Sequence, residues 1–249
     1  MARAKLSEIV ASGQVLVGDG AWGTQLQALG LPAGECPERW CVEYPDRVAG
    51  VARAYIEAGA DVIETNSFGG SRIRLGDHGL AERAAELNEA AARLSREAAG
   101  EDRWVAGSVG PSGRLLMMGD IREEELFEAF VEQAAALLRG GADAICVETM
   151  SALDEAALAV RAAREAGASE VICTFTFSPA GTNEYRTMMG NDPVEAARAA
   201  REAGADIVGA NCIAGGEAAL AIVRAIRAAE PEVPILVQPN EGLPTLVQG

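Results

Sequence analysis

The chain has 249 residues, 49% of them apolar, which is enough for one sizeable core. Its 21 basic and 37 acidic residues give a net charge of −16, and this excess argues against nucleic-acid or anionic-membrane binding. Apolar runs stay well short of the roughly 18 residues that a membrane span needs, and residues 1–12 lack the layout of a secretory signal. The sequence predicts a soluble, cytoplasmic protein in which residues 1–249 form one domain.

A repeated pattern, in which a helix end is followed by glycine and a short apolar run, organises the chain. It occurs around Gly59, Gly141, Gly167 and Gly204. Glycine in this place is typical of a helix C-terminal cap, where the backbone φ is positive. The apolar runs lack polar alternation, as expected for strands buried on both faces. The pattern therefore predicts parallel βα units.

Seven strands and six helices are predicted in chain order. The strands cover residues 15–18, 62–66, 104–108, 144–148, 171–177, 207–211 and 235–238. The helices cover residues 46–57, 80–99, 123–139, 152–165, 193–202 and 217–229. This succession is typical of a (β/α)8 TIM-type barrel or of a doubly wound sheet.

Two features favour the barrel over the doubly wound sheet. A glycine-rich dinucleotide fingerprint does not follow the first strand, and polar residues follow nearly every strand, as at a barrel mouth. These residues are Asp19, Asn66, Glu148, Thr176, Ser178, Asn211, Cys212 and Asn240. A closed barrel needs eight strands, so we expect a (β/α)8 barrel that is incomplete after its seventh strand.

The five cysteines form an odd number, which argues against a disulfide framework. Cys146 and Cys173 lie within apolar strands and are expected in the core. Cys212 follows a strand, so it is a candidate reactive or metal-binding thiol. Cys36 and Cys41 lie in a loop, and their spacing without a second pair favours loop packing over a metal site.

The counts of histidine and lysine exclude further chemistry. His78 is the single histidine of the sequence and lies in a polar turn, so a site with two imidazoles is excluded. Lys5 is the single lysine and lies near the N-terminus, which excludes Schiff-base chemistry at a strand end.

Three polar positions at strand ends have open interpretations. Asp19 lies in a segment with three glycines, residues 18–24, which is either a carboxylate cradle or an ordinary turn. Asn66 could bind a substrate or orient a loop. Glu148, as an acid at a barrel mouth, must be solvated, be paired with a cation or take part in binding or catalysis.

Six motifs, in this order, closely resemble the homocysteine S-methyltransferase family. They are DGAWGT at 19–24, ETNSFGG at 64–70, VGPSG at 109–113, ET at 148–149, GANC at 209–212 and QPNEG at 238–242. The resemblance runs from about Leu16 to the last residue. Trp22 and Ser67 differ from the residues most common at these motif positions in the family, which leaves the identity of the thiol substrate open.

The resemblance implies a barrel that holds zinc on three thiolates, of which Cys212 is one. The other two belong to a Gly-Gly-Cys-Cys-Gly segment at the end of strand eight, which this sequence does not contain. Asn240 resembles the group that takes the fourth position when substrate is absent. With one of three thiolates, we predict no bound zinc in this chain as written.

The same resemblance assigns the substrate contacts. Asp19 and Glu148 would bind the amino group of homocysteine, and the backbone N–H groups of Ala21 and Trp22 its carboxylate. The two remaining substrate-site residues, Asn66 and Asn211, would be supporting polar groups.

The sequence thus predicts a zinc-dependent thiol S-methyltransferase that converts homocysteine to methionine, with Cys212 as its catalytic residue. The methyl donor is open, and methylcobalamin on a partner protein is one candidate. One alternative is methyl transfer between another small thiol and a corrinoid protein. The other is a metal-free barrel that binds an amino acid.

Overall fold

A computed structural model describes residues 3–182 and 184–241 as an α/β fold built on a curled parallel sheet. Six parallel strands form this sheet in the order β1-β2-β3-β4-β7-β8, and β5 and β6 form a separate antiparallel pair. The strands are β1 (Val62–Glu64), β2 (Trp104–Val109), β3 (Ala144–Met150), β4 (Val171–Phe175), β5 (Ser178–Gly181), β6 (Glu184–Arg186), β7 (Ile207–Ala214) and β8 (Ile235–Asn240).

The described residues form ten α-helices, some of which follow strands in βα units and pack against the sheet. They are α1 (Leu6–Ala11), α2 (Trp22–Ala28), α3 (Trp40–Glu43), α4 (Pro45–Glu57), α5 (Arg72–Gly76), α6 (Ala84–Ala99), α7 (Glu123–Arg139), α8 (Leu153–Glu165), α9 (Pro193–Ala203) and α10 (Gly215–Ala229). Across the described residues, none of these helices is both long and apolar enough to cross a membrane.

Six of the seven predicted strands and all six predicted helices are confirmed, with shifted ends. The helix predicted from residue 80 begins with a short 3-10 turn, and α6 starts at Ala84. Strand β7 extends to Ala214, beyond the predicted end at residue 211. The predicted strand over 171–177 ends at Phe175, because the chain then enters the β5–β6 hairpin, which the sequence did not predict.

The predicted buried strand at residues 15–18 is wrong. The segment makes one isolated bridge, between Gly18 and Val62, and Val15 and Val17 are 84% and 57% exposed. It lies at the β1 edge of the sheet, where no other described strand pairs with its outer side. The segment therefore pairs with β1 along one edge only, whereas a strand inside a sheet has a partner along each edge.

The aspartate of the repeated pattern joins neighbouring strands at their N-terminal ends. The backbone N–H of Asp143 donates to the carbonyl of Val105, and the Val105 N–H donates back to the Asp143 carboxylate, both at 2.8 Å. Asp206 makes the same pair of bonds with Val171, again at 2.8 Å. These aspartates thus stabilise the sheet at the end opposite to the carboxyl ends, where the polar residues predicted for the site lie.

Candidate active site

Asp19 directly follows Gly18, which forms a bridge with Val62, and it is 8% exposed. Its backbone N–H donates to Val62 at 3.0 Å, and its Oδ2 accepts from the Trp22 indole and from the Glu64 backbone, each at 2.9 Å. Its Oδ1 is buried and, within the described part of the chain, has no hydrogen-bond partner. Burial, reinforced by the nearby Glu148 carboxylate, raises the pKa of Asp19 to about 7. A buried acceptor of this kind is a place for a ligand donor.

Glu148 follows three apolar residues of β3 and is 7% exposed. The Ser108 hydroxyl donates to its Oε1, and the Asn211 amide donates to its Oε2 at 2.9 Å. Burial raises the pKa of Glu148 above its usual range, although these hydrogen bonds oppose the shift. Asp19 and Glu148 therefore lie together as two buried acids, one with a free oxygen.

Asn211, within β7, uses every hydrogen-bonding position of its side chain. Its Nδ2 donates to Glu148 at 2.9 Å and to the Thr149 hydroxyl at 2.7 Å. Its Oδ1 accepts from the Thr149 backbone N–H at 2.9 Å and from the Thr174 hydroxyl at 3.0 Å. A primary amide has two donors and two acceptor positions, so none remains for a substrate. These contacts favour the interpretation of Asn211 as a supporting group.

Cys212 and Thr149 both have a left-handed backbone, with φ of 52° and 59°. Residues other than glycine adopt this conformation at a cost of about 1–3 kcal/mol, and such strain concentrates at functional sites. The Cys212 thiol is exposed, 3.8 Å from Asn211 Nδ2 and 4.0 Å from the Thr149 hydroxyl. Thr149 belongs to one of the six motifs but was not predicted as a site residue. Its position next to Glu148 was the signal that could have indicated it.

Glu64, at the end of β1, is a third acid that the sequence interpretation did not select. Its Oε1 accepts from the Gln238 amide at 3.3 Å, and its backbone N–H binds Asp19. Burial, followed by the charges of Glu148 and Asp19, raises the pKa of Glu64 well above its usual range. An acidic residue inside an apolar strand was the signal that could have revealed it.

Asn66 makes contacts that favour the loop-orienting interpretation. Its amide nitrogen donates to the Pro37 carbonyl at 2.8 Å and lies 3.4 Å from the Cys41 sulfur. In the same loop, the Cys36 thiol donates to Glu38 at 3.1 Å. Cys36 and Cys41 are both buried, in agreement with their predicted role in loop packing.

The remaining predicted residues lie on two different elements. Ala21 is exposed and directly precedes α2, and Trp22 is its first residue, so their backbone N–H groups lie at a helix start. Asn240 is exposed at the end of β8 and pairs with Ala214, two residues beyond Cys212. The other four cysteines are buried. Residues 3–182 and 184–241 contain no group of three or more acidic, histidine or cysteine side chains that could hold a metal.

Comparison with known proteins relates this geometry to one family. Residues 16–249 match the homocysteine S-methyltransferase family model. The chain is 35% identical over 95% of its length to a methionine synthase of Mycobacterium tuberculosis, and 33% identical over 81% of its length to betaine–homocysteine S-methyltransferase 1 of Danio rerio. It spans 21% and 49% of the lengths of these relatives.

A solved structure agrees with the sequence relatives. The metallated form of the homocysteine methyltransferase MmuM from Escherichia coli superposes with a TM-score of 0.78 at 25% identity. The match covers 94% of this chain and 86% of that one. From the family match and the fold, the chain belongs to the homocysteine S-methyltransferase family.

Proposed function

We propose that this chain is the homocysteine-binding part of an S-methyltransferase that forms methionine. The observation that carries this proposal is the proximity of two buried acids, Asp19 and Glu148, together with the exposed Cys212 thiol near Glu148. Buried acids without a cation are costly, and a ligand that brings a cation removes that cost. An α-amino acid with a thiol fits these features and the family of the chain.

The amino group of homocysteine would bind between Asp19 and Glu148. The free Oδ1 of Asp19 supplies an acceptor, and Glu148 supplies a carboxylate held in place by Ser108 and Asn211. The backbone N–H groups of Ala21 and Trp22 would take the substrate carboxylate, since the first N–H groups of a helix lack intrahelical partners. The substrate sulfur would then lie toward Cys212.

Zinc dependence is part of this proposal for the whole protein, with Cys212 and Asn240 as ligands. The residues present do not fit a complete zinc site, because the described part of the chain brings one exposed thiol and no group of three metal-binding side chains. Three thiolates hold such a metal in the family that the sequence resembles. We therefore derive no step of the reaction through zinc from the described residues.

The (β/α)8 barrel, the single domain over residues 1–249, the cytoplasmic location and a corrinoid methyl donor on a partner are proposals as well. The donor is the least constrained of them. The relatives include a methionine synthase and a betaine–homocysteine methyltransferase, and only the second of these names states a methyl donor. The core of the proposal is therefore recognition of the methyl acceptor.

Calorimetry with matched thiols tests this recognition. Homocysteine is compared with 4-mercaptobutanoate, which lacks the amino group, and with 3-aminopropanethiol, which lacks the carboxylate. We expect homocysteine to bind the wild-type chain and to lose about tenfold or more in affinity with Glu148→Gln, because one ammonium contact is lost. The amine-free thiol should bind weakly and equally to both chains.

Three outcomes separate the alternatives. Tighter binding of another small thiol would favour the corrinoid-linked methyltransferase with a different acceptor. Binding of homocysteine without methyl transfer, when zinc and methyl donors are supplied to the protein encoded by the whole gene, would favour the metal-free binding barrel. Failure of homocysteine to bind to either protein would contradict the proposed function.

A further inference from the structure

The substrate pocket contains one acid more than the proposed ammonium contacts require. We call Asp19, Glu64 and Glu148 the acidic pocket. Asp19 and Glu64 are in direct contact, because the Glu64 backbone N–H donates to Asp19 Oδ2 at 2.9 Å. The free Oδ1 of Asp19 is buried in the same pocket and marks it as a ligand site rather than a closed polar cluster.

The groups around Glu64 supply no positive charge. Asp19 faces it from the loop before α2, Glu148 and Cys146 from β3, Cys212 from β7, and Gln238 from β8. Ser108, on the intervening strand β2, is neutral and donates to Glu148. None of the ion pairs in the described part of the chain includes a member of the acidic pocket. Three carboxylates in one pocket without a cation, two of them buried and Glu64 partly buried, cannot all be ionised near neutral pH, so the unliganded pocket retains a proton.

The hydrogen bonds indicate which acid keeps that proton. Asp19 Oδ2 accepts two N–H groups at 2.9 Å, and Glu148 accepts the Ser108 hydroxyl and the Asn211 amide. Donors of this kind stabilise an ionised carboxylate. Glu64 accepts one long bond, 3.3 Å from the Gln238 amide, and has the Cys146 thiol as a further, weak donor. Of the three, Glu64 has the weakest support for a negative charge.

We propose that Glu64 is a proton-holding residue of the amino-acid site: it is protonated in the empty pocket and releases its proton when an α-ammonium group binds. The inference rests on the proposed function for the position of that ammonium group. In the step, the O–H bond of the Glu64 carboxyl group breaks and the proton passes to solvent. The ammonium charge then balances the carboxylate that is formed. Binding of the amino acid is therefore coupled to pH through a residue outside the two direct contacts.

Proton release on ligand binding tests this proposal directly. L-methionine is the ligand, since it carries the α-ammonium group but no thiol whose own ionisation would add to the signal. Calorimetry at pH 8, above the pKa of about 7 of Asp19, in phosphate and in Tris, whose ionisation enthalpies differ, gives the number of protons released. We expect about one proton from the wild-type chain, and a release close to zero from Glu64→Gln with binding retained.

Glu155→Gln is the matched control, because Glu155 is also buried and accepts from Ser112 but lies outside the acidic pocket. It should release as many protons as the wild type. Binding without proton release in the wild type, or an unchanged release in Glu64→Gln, would overturn the proposal. If Glu64→Gln does not fold, as judged by circular dichroism, the wild-type release at pH 8, where Asp19 is already ionised, decides alone. If neither methionine nor homocysteine binds to the wild type, the proposed function itself fails.

Discussion

The side-chain amide of Asn211 donates to the Glu148 carboxylate at 2.9 Å and so joins the C-terminal halves of β7 and β3, two strands separated by β4. The same amide accepts from Thr174 on β4. Three neighbouring strands are thereby joined by one residue. Because Cys212 follows Asn211 directly, the position of the exposed thiol is tied to that of the buried acid. An amide suits this task because it both donates and accepts.

Asn211→Asp should destabilise the protein by about 2–4 kcal/mol. The isosteric carboxylate loses both donors to Glu148 and Thr149, and it adds a negative charge beside Glu148. Urea denaturation at pH 7 measures the change. Asn191→Asp, in the loop between β6 and α9, is the control and should change stability little. Equal stability of the two variants would contradict the role assigned to Asn211.

Asp19→Asn should stabilise the protein above pH 7 while weakening homocysteine binding about tenfold or more. Burial raises the Asp19 pKa from its ordinary 3.8 to about 7, so between these values the folded chain holds a proton that the unfolded chain has lost. The free energy of unfolding therefore falls as pH rises through this window. The variant escapes that loss, which is of the order of 2–4 kcal/mol at pH 8 and small near pH 4.

Urea denaturation at pH 4 and pH 8 checks the Asp19 prediction. Asp102→Asn, at an exposed turn, is the control and should follow the wild type at both values. A stabilisation of Asp19→Asn that is equal at the two pH values would show that the ionisation of Asp19 is not its cause.

Iodoacetamide should label one cysteine of the native chain and all five after unfolding. Cys212 is exposed, whereas Cys36, Cys41, Cys146 and Cys173 are buried. Mass spectrometry of the labelled peptides identifies the site, and Cys212→Ser should abolish native labelling. Labelling of Cys36 or Cys41 in the native chain would contradict the closed packing of their loop.

The repeated helix–glycine–strand pattern was sufficient to predict four of the six parallel strands, because cap chemistry and double-sided burial both leave local signals. The prediction of a buried strand at residues 15–18 was wrong, since an apolar segment has the same sequence at an open edge as in a paired strand. The pattern also missed the β5–β6 hairpin, where Pro179 and Gly181 are typical of a loop. Edge position and hairpin pairing depend on neighbours that are distant in sequence.

The site could be predicted in part for the same reason. Asp19 and Glu148 follow apolar runs of the sequence, and this position alone indicated that they belong to the site. Asn66 and Asn211 have equivalent positions, yet one binds a loop through Pro37 and the other binds Glu148. Glu64 was hidden within a strand. Residue type and strand position predict the place of a side chain, whereas its partners are decided by tertiary packing.

Gly209→Ala should disrupt the pairing of β7 with β8. Gly209 lies opposite Leu236 in the register, and a Cβ atom at Gly209 would overlap the backbone carbonyl group of Leu236. The overlapping atoms belong to the backbone, so the strands must separate to relieve the clash. We expect a loss of about 3 kcal/mol or more, or an insoluble protein. Urea denaturation of the purified variant measures the change.

Gly216→Ala is the matched control for this substitution. Gly216 lies in the first turn of α10, and a Cβ there would have no atom within 4 Å. Alanine in a helix is favoured over glycine by about 0.5–1 kcal/mol, so this variant should be neutral or more stable. Displacement of β8 in Gly209→Ala would also remove the Gln238 amide from Glu64. If both variants were equally stable, the close approach of β7 and β8, and with it the placement of Gln238 in the acidic pocket, would be wrong.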